Sequence, residues 1–129
     1  MDNDPYNDVV RAAFANPVHA GDLANPYARI LRSAVSASDT GPRLQLSAGI
    51  DDGKIGEIRF RAWGCPHMIA AAEWACERLE GQSLDALATI SANDLAAALS
   101  VPVTKTGVML LVEDAIAALG DDMDANDKD

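Results

Sequence analysis

Residues 58–76, IRFRAWGCPHMIAAAEWAC, predict a strand, a tight turn and a helix in direct succession. The first six residues alternate small or apolar side chains with charged or bulky ones, which is the period of a half-buried strand. Gly64 permits a backbone turn that most residues disfavour. Pro66 suits the first turn of a helix, where its missing N–H costs nothing. A cysteine, Cys65, therefore stands between sheet and helix.

The position of Cys65 has a chemical consequence. The N-terminus of a helix carries the positive end of the helix dipole, which favours a thiolate over a thiol. Cys65 is therefore a candidate nucleophile or soft-metal ligand. Taken locally, the sequence leaves a second interpretation open, a turn cysteine without a chemical role.

The other cysteine, Cys76, is expected in the core. It shares one helical face with Met68, Ala72 and Leu79. If both cysteines belong to this helix, about 16 Å separates them along its axis, too far for a disulfide. Two cysteines also make no disulfide framework.

Composition limits the classes of protein to which the chain can belong. Its 129 residues, 49% of them apolar, suffice for one domain with a real core. No uncharged apolar run approaches the roughly 18 residues needed to span a bilayer, and no secretory signal opens the chain. We therefore expect a soluble, cytoplasmic protein. The net charge of −10 argues against nucleic-acid and anionic-membrane binding and suits a partner with a basic docking face.

The remaining pattern predicts an α+β domain. Strands are expected at residues 27–36, 43–50 and 55–63, joined as an antiparallel meander. Helices are expected at residues 5–15, 66–80, 93–99 and 108–119, with a further short one after Ser83. Gly120 should end the last helix. We therefore expect a single domain of residues 1–120 and an acidic, disordered tail of residues 121–129.

In this order, the elements resemble the IscU family of iron–sulfur cluster scaffolds, which also includes the N-terminal domain of NifU. The resemblance covers about residues 5–119. The matching pieces are Asn16-Pro17 with Gly21, Leu44-Gln45-Leu46, Phe60 with Gly64-Cys65, Gly81-Gln82-Ser83-Leu84-Asp85, and Val112-Glu113-Asp114-Ala115-Ile116. The resemblance implies a SufE/IscU-like fold, a three-stranded antiparallel β-meander packed with about five helices.

The ligand positions of the family are only partly kept. Family members hold a [2Fe–2S] cluster with three cysteines and an aspartate or histidine. Cys65 matches the second cysteine, whereas Ser38 and Val108 stand at the first and third positions. The family aspartate corresponds to Asp39, displaced by one place, and the lysine of the last ligand loop is kept as Lys105.

Because cluster iron prefers thiolate ligands, one chain is not expected to hold a cluster by the usual set. The metal-ligand candidates that remain are Cys65, His67 and Asp39, with Ser38 and Lys105 in supporting positions. His67 has an equally simple interpretation as a surface residue of the first helical turn. The cofactor prediction is accordingly either none or iron or a [2Fe–2S] cluster.

Three functions follow from the resemblance. In the first, Cys65 accepts sulfur as a persulfide from a cysteine desulfurase, as the single cysteine of SufE-type acceptors does, and the chain is a carrier rather than an enzyme. In the second, the chain binds and regulates the desulfurase or another assembly factor without carrying sulfur. In the third, a homodimer holds iron or a [2Fe–2S] cluster through Cys65 and His67 of both chains.

Overall fold

Three strands and four α-helices make up the fold in a computed structural model that describes residues 8–127, with side chains described up to residue 122. Two short 3₁₀ helices, Leu84–Thr89 and Val103–Lys105, lie between the later α-helices. In chain order the main elements are α1 (Asp8–Ala15), β1 (Arg29–Ser36), β2 (Arg43–Asp51), β3 (Lys54–Trp63), α2 (Pro66–Leu79), α3 (Ala92–Leu99) and α4 (Thr106–Asp127). The predicted α+β class with about five helices is confirmed.

The sheet is the predicted antiparallel meander, with strand order β1-β2-β3. Asp52 and Gly53 form the β2–β3 turn with φ values of 54° and 76°, the left-handed angles that a tight hairpin turn requires. Leu44, Leu46 and Ala48 of β2 stand opposite Ala62, Phe60 and Ile58 of β3. These residues therefore share the inward face of the sheet.

The core lies between this inward face and the helices α2 and α4. Most apolar side chains of the inward face are buried, and the helices add a second apolar layer above them. Fully buried large side chains from both layers include Leu31, Leu44, Ile58, Met68, Met109 and Ile116. This packing fixes the end of β3 against the start of α2, and so fixes Cys65.

Both edges of the sheet are capped by polar groups. Beside β3, the N–H of Gly21 donates to Phe60 O at 2.9 Å and the N–H of Phe60 donates to His19 O at 3.0 Å. At the β1 edge, the backbone N–H of Arg32 donates to a carboxylate oxygen of Asp122 at 2.9 Å. The loop after α1 and the end of α4 therefore cover main-chain groups that a free edge would expose.

The last helix differs from the prediction. It begins at Thr106 and continues past Gly120 to Asp127, so the expected stop at Gly120 is wrong. A glycine inside a helix costs only about 1 kcal/mol, and Leu119 and Asp122 hold the end of α4 to the body by burial and by the bond to β1. Residues 121–127 are helical rather than disordered, while residues 128–129 and the predicted first helical residues 5–7 lie outside the described residues.

Within the described part of the chain, no helix has the length and apolar character that a membrane crossing demands.

Candidate functional site

Cys65 occupies the N-cap of α2, between the last residues of β3 and Pro66. Its carbonyl accepts hydrogen bonds from the N–H groups of Met68 and Ile69, at 3.0 and 3.3 Å. Its side chain accepts no capping hydrogen bond and is partly exposed. The thiol is therefore placed at the helix start by the backbone and by partial packing against the core, without a capping hydrogen bond.

Cys65 lines an open cavity of about 450 Å³. Three separate parts of the chain line it: the β1–β2 loop with Thr40 and Gly41, the β3–α2 junction with Cys65, and the start of α4 with Lys105 and Val108. The three loops matched to ligand loops by sequence thus do converge. Of the residues that line the cavity, only Cys65 can provide a thiolate.

Lys105 is half-buried and shares the cavity with Cys65. It supplies positive charge to a site in a chain of net charge −10. A nearby cation favours an anionic sulfur over a neutral one. Lys105 is therefore suited to stabilise a thiolate or a persulfide anion in the cavity.

His67 does not line this cavity. Its side chain is 3% exposed, in the first turn of α2, so the interpretation as a surface residue is wrong. Burial, and secondarily the positive charge of Lys105, lower the pKa of His67 below its usual value. The imidazole is therefore held neutral at physiological pH, close enough to Lys105 to sense its charge.

Ser38 and Asp39 directly precede the cavity-lining residue Thr40 in the chain, and both are exposed. Neither lines it, but Ser38 is adjacent: a Cβ added to Gly41 would lie 2.7 Å from Ser38 Oγ. Among the residues that the structure describes, no group of three or more histidine, cysteine, aspartate or glutamate side chains is arranged to hold a metal ion. The donor set at the cavity therefore does not fit a cluster bound by one chain.

Cys76 lies in the core, where the sequence places it. It is 1% exposed, and burial together with the charges of Glu73 and Glu80 strongly raises the pKa of its thiol. Cys76 is therefore protonated and shielded, whereas Cys65 is partly exposed.

Sequence reasoning missed a buried ionic cluster on the other side of α2. His19 is 8% exposed and its ring contacts two glutamates, with Nδ1 2.6 Å from Glu73 Oε2 and Nε2 3.1 Å from Glu80 Oε1. Glu80 also accepts from the N–H of Ile58 and from Arg59. A glutamate within the apolar face of α2 was the one signal in the sequence, since a buried carboxylate needs a partner.

The cluster continues along β3 to the loop before β1. The Arg59 guanidinium lies 3.2 Å from Glu57, whose carboxylate accepts from the N–H groups of Ala24 and Asn25. Burial alone would raise the pKa of Glu57, but these hydrogen bonds and Arg59 outweigh it and hold the pKa below its usual value. The cluster ties residues 19–25 to β3 and α2, and none of its residues lines the Cys65 cavity.

The family of the chain is established by comparison with known sequences. The model of the NifU-like N-terminal domain matches residues 5–125. The iron–sulfur cluster assembly protein IscU of Plasmodium falciparum is 34% identical over 111 residues, which are 86% of this chain and 68% of that protein. The iron–sulfur cluster assembly scaffold protein IscU of Escherichia coli K12 is 32% identical over 114 residues, 88% of this chain and 89% of that protein.

Solved structures give the same fold. An iron–sulfur cluster assembly scaffold protein for the SUF system from Fervidobacterium islandicum superimposes with a TM-score of 0.69, at 14% identity, covering 88% of this chain and 94% of that one. A NifU-like N-terminal protein from Brucella abortus superimposes equally well, at 16% identity over 92% of this chain and 94% of the other. At such identities the likeness shows the fold alone.

Proposed function

The chain belongs to the family of NifU-like N-terminal domains, and we propose that it serves iron–sulfur cluster assembly by accepting sulfur on Cys65. The observation that carries the proposal is the setting of that thiol. Cys65 is partly exposed at a helix N-terminus and lines an open cavity beside Lys105. These are the two requirements of thiol–persulfide exchange, access and a stabilised anion.

The transfer step needs one thiolate and no further ligand. The Cys65 thiolate attacks the outer sulfur of a persulfide, R–S–SH, carried by a donor protein. The bond between the donor's two sulfurs breaks, the donor leaves as a thiolate, and Cys65 becomes Cys65–S–SH. No outside oxidant or reductant enters, because the sulfane sulfur arrives already oxidised. Lys105 stabilises the attacking thiolate and, after deprotonation, the persulfide product.

The donor in this proposal is a cysteine desulfurase. The chain itself is a covalent carrier, which we propose is not an enzyme, although one relative from Drosophila melanogaster is called an iron–sulfur cluster assembly enzyme. Location in the cytoplasm is part of the same proposal, because it would place the chain where thiols remain reduced.

A second candidate function, docking without sulfur transfer, rests on the apolar surface beside the cavity. Trp63 is 43% exposed in the cavity wall, and Val103, two residues before Lys105, is 88% exposed. Leu110, two residues after Val108, is 46% exposed. Exposed large apolar side chains near one cavity are typical of protein interfaces.

A third candidate, a dimer that holds iron or a [2Fe–2S] cluster through Cys65 and His67, is less favoured by the geometry. The His67 side chain is buried inside its own chain and does not reach the Cys65 cavity. A shared ligand set would require it to leave the core. The cavity of one chain supplies one thiolate, one cation and hydroxyl or backbone groups, which are poor ligands for cluster iron.

The experiment is sulfur loading by a desulfurase and cysteine, with the chain as acceptor. The native chain is expected to gain the mass of one sulfur atom per chain, and Cys65→Ser to gain none while keeping the far-UV spectrum. A matched variant, Cys76→Ala, should load like the native chain. If Cys65→Ser instead binds and stimulates the desulfurase fully and the native chain never loads, the docking function replaces the carrier function.

A further inference from the structure

The outward face of the sheet forms a second concave surface, away from Cys65. Residues alternate across a strand, so the partners of the buried residues point outward. Arg32 and Ala34 of β1 stand beside Ser47 and Gln45 of β2, and Gln45 stands beside Arg61 of β3. The loop before β1 walls this face, because Gly21 pairs with Phe60 along the free edge of β3.

The walled face is a cavity of about 480 Å³, which we call the sheet basin. It is lined mainly by Gly21, Asp22, Arg32, Gln45, Ser47 and Arg61, and by Ala34 of β1, which stands opposite Gln45. Its size is in the range of small-molecule sites. The sheet basin and the Cys65 cavity have no lining residue in common.

The polar groups of the sheet basin are mostly hydrogen-bond donors. Asp22 binds Arg61 through two parallel hydrogen bonds, at 2.9 Å from Nε and 2.6 Å from Nη2. This pair fixes the guanidinium, occupies two of its five N–H donors and leaves three. Asp22 thus orients Arg61 over the basin.

The other donors have no acceptor among the side chains that the structure describes. Within the part of the chain that the structure describes, the guanidinium of Arg32 has no ion-pair partner, and the side chains of Gln45 and Ser47 make no hydrogen bond. One further carboxylate, that of Asp122, lies at the β1 edge, where it accepts the backbone N–H of Arg32. Two guanidinium groups, an amide and a hydroxyl therefore line one basin with unused donors.

The spacing of the arginines indicates the size of the ligand. Arg32 and Arg61 lie two strands apart and two residues out of register, which places their Cα atoms about 12 Å apart. Two arginine side chains can span that distance to a polyatomic anion, whereas a halide ion is too small to contact both. Planar guanidinium groups match carboxylate and phosphate oxygens.

We propose that the sheet basin binds a small oxyanion, either a short dicarboxylate or a phosphate group. The small side chain of Ala34 leaves space next to Arg32, and Gln45 and Ser47 supply neutral donors from β2, between the two arginines. Asp22, Arg32 and Arg61 give the basin a net positive charge, whereas the whole chain has a net charge of −10. An acidic protein would be repelled by the rest of the chain, so a small anion is the favoured ligand.

The test is titration of the full chain, by calorimetry and amide NMR at constant ionic strength, with inorganic phosphate and separately with malonate. Saturable binding of either probe, with shifts at the amides of Ala34, Gln45 and Ser47, is expected, and the preferred probe identifies the ligand class. Arg32→Gln should weaken binding at least tenfold. Ala34→Leu, which fills the basin without changing charge, should do the same.

Arg78→Gln is the charge-matched control, since Arg78 stacks on Trp74 far along α2 from the basin. It should bind like the native chain. Chloride should not compete at the same ionic strength. The proposal is wrong if neither probe saturates, or if Arg78→Gln weakens binding as much as Arg32→Gln, because the attraction would then be diffuse charge.

Discussion

The two cysteines at and within α2 have opposite environments, and the difference comes from their positions at the two ends of about three helical turns. Cys65 is the N-cap residue of α2 and lines a cavity. Its side chain makes no capping hydrogen bond. Cys76 lies three turns further, in the core, where burial and the charges of three glutamates raise the pKa of its thiol. Reactivity toward electrophiles and persulfides depends on thiolate content and access, so it should be confined to Cys65.

This contrast predicts selective alkylation. In the folded chain at neutral pH, iodoacetamide should modify Cys65 and leave Cys76 unmodified until the chain is unfolded in denaturant. Peptide mass mapping before and after unfolding measures both thiols in one sample. Modification of Cys76 at a rate comparable to that of Cys65 in the native chain would contradict the assignment.

Lys105 is expected to act on Cys65 by charge. Lys105→Gln removes the cation from the cavity and should slow Cys65 alkylation and sulfur loading by roughly three- to tenfold at pH 7, whereas Lys105→Arg keeps most of the rate. Rates followed by mass spectrometry test this. Equal slowing by both variants would mean that Lys105 acts through its shape and not through its charge.

His67 makes a separate contribution to pH dependence. Its pKa is lowered in the fold by burial and by Lys105, so the unfolded chain takes up a proton first as pH falls below about 6.5. The free energy of unfolding should therefore decrease between pH 6.5 and the lower folded-state pKa. Urea unfolding from pH 7.5 to 5 should show a shallower decrease for His67→Gln, and parallel curves would contradict this.

At the scale of elements, the loop before β1 is held by ionic and backbone contacts more than by apolar packing. Residues 19–21 pair with β3, His19 contacts Glu73 and Glu80 of α2, and Glu57 binds the backbone of Ala24 and Asn25. The loop also walls the sheet basin. Its position is therefore sensitive to changes in the buried glutamates.

The glutamates of α2 give a matched pair of variants. Glu73→Gln places an amide against the N–H and ring of His19, and should lower the free energy of unfolding by about 2–4 kcal/mol. Glu77→Gln should be neutral or slightly stabilising, because burial and Glu73 raise the pKa of Glu77 and its charge is unfavourable there. Urea unfolding at pH 7 measures both, and the opposite order would contradict the buried-cluster assignment.

Local pattern sufficed for most elements but not for their polar partners. The Ser91–Asp94 capping box of α3 and the Asp52-Gly53 turn are encoded by adjacent residues, and the structure has both. His19 and Glu73 are 54 residues apart, so nothing local distinguishes the buried His19 from a solvated loop histidine. The predicted helix end at Gly120 is wrong for the same reason, since a tertiary contact of Asp122 with β1 stabilises the continuing helix.

At the scale of the whole molecule, the fold brings three distant loops to one cavity even though only one ligand cysteine is present. Thr40, Cys65 and Lys105 meet because β1–β2, β3–α2 and the start of α4 all end at the same side of the sheet. The convergence of these loops was predictable from the family resemblance. The burial of His67, which removes it from the cavity, depends on packing and was not.

Site-resolved sulfur mapping decides whether the chain carries sulfur on the single thiol of Cys65. The native chain is loaded by a cysteine desulfurase with isotopically labelled cysteine, alkylated, digested without reductant and analysed by mass spectrometry. We expect label on the peptide that contains Cys65, as a persulfide, and no labelled persulfide on Cys76. Label on Cys76, or an unlabelled chain beside an active and labelled desulfurase, would contradict it.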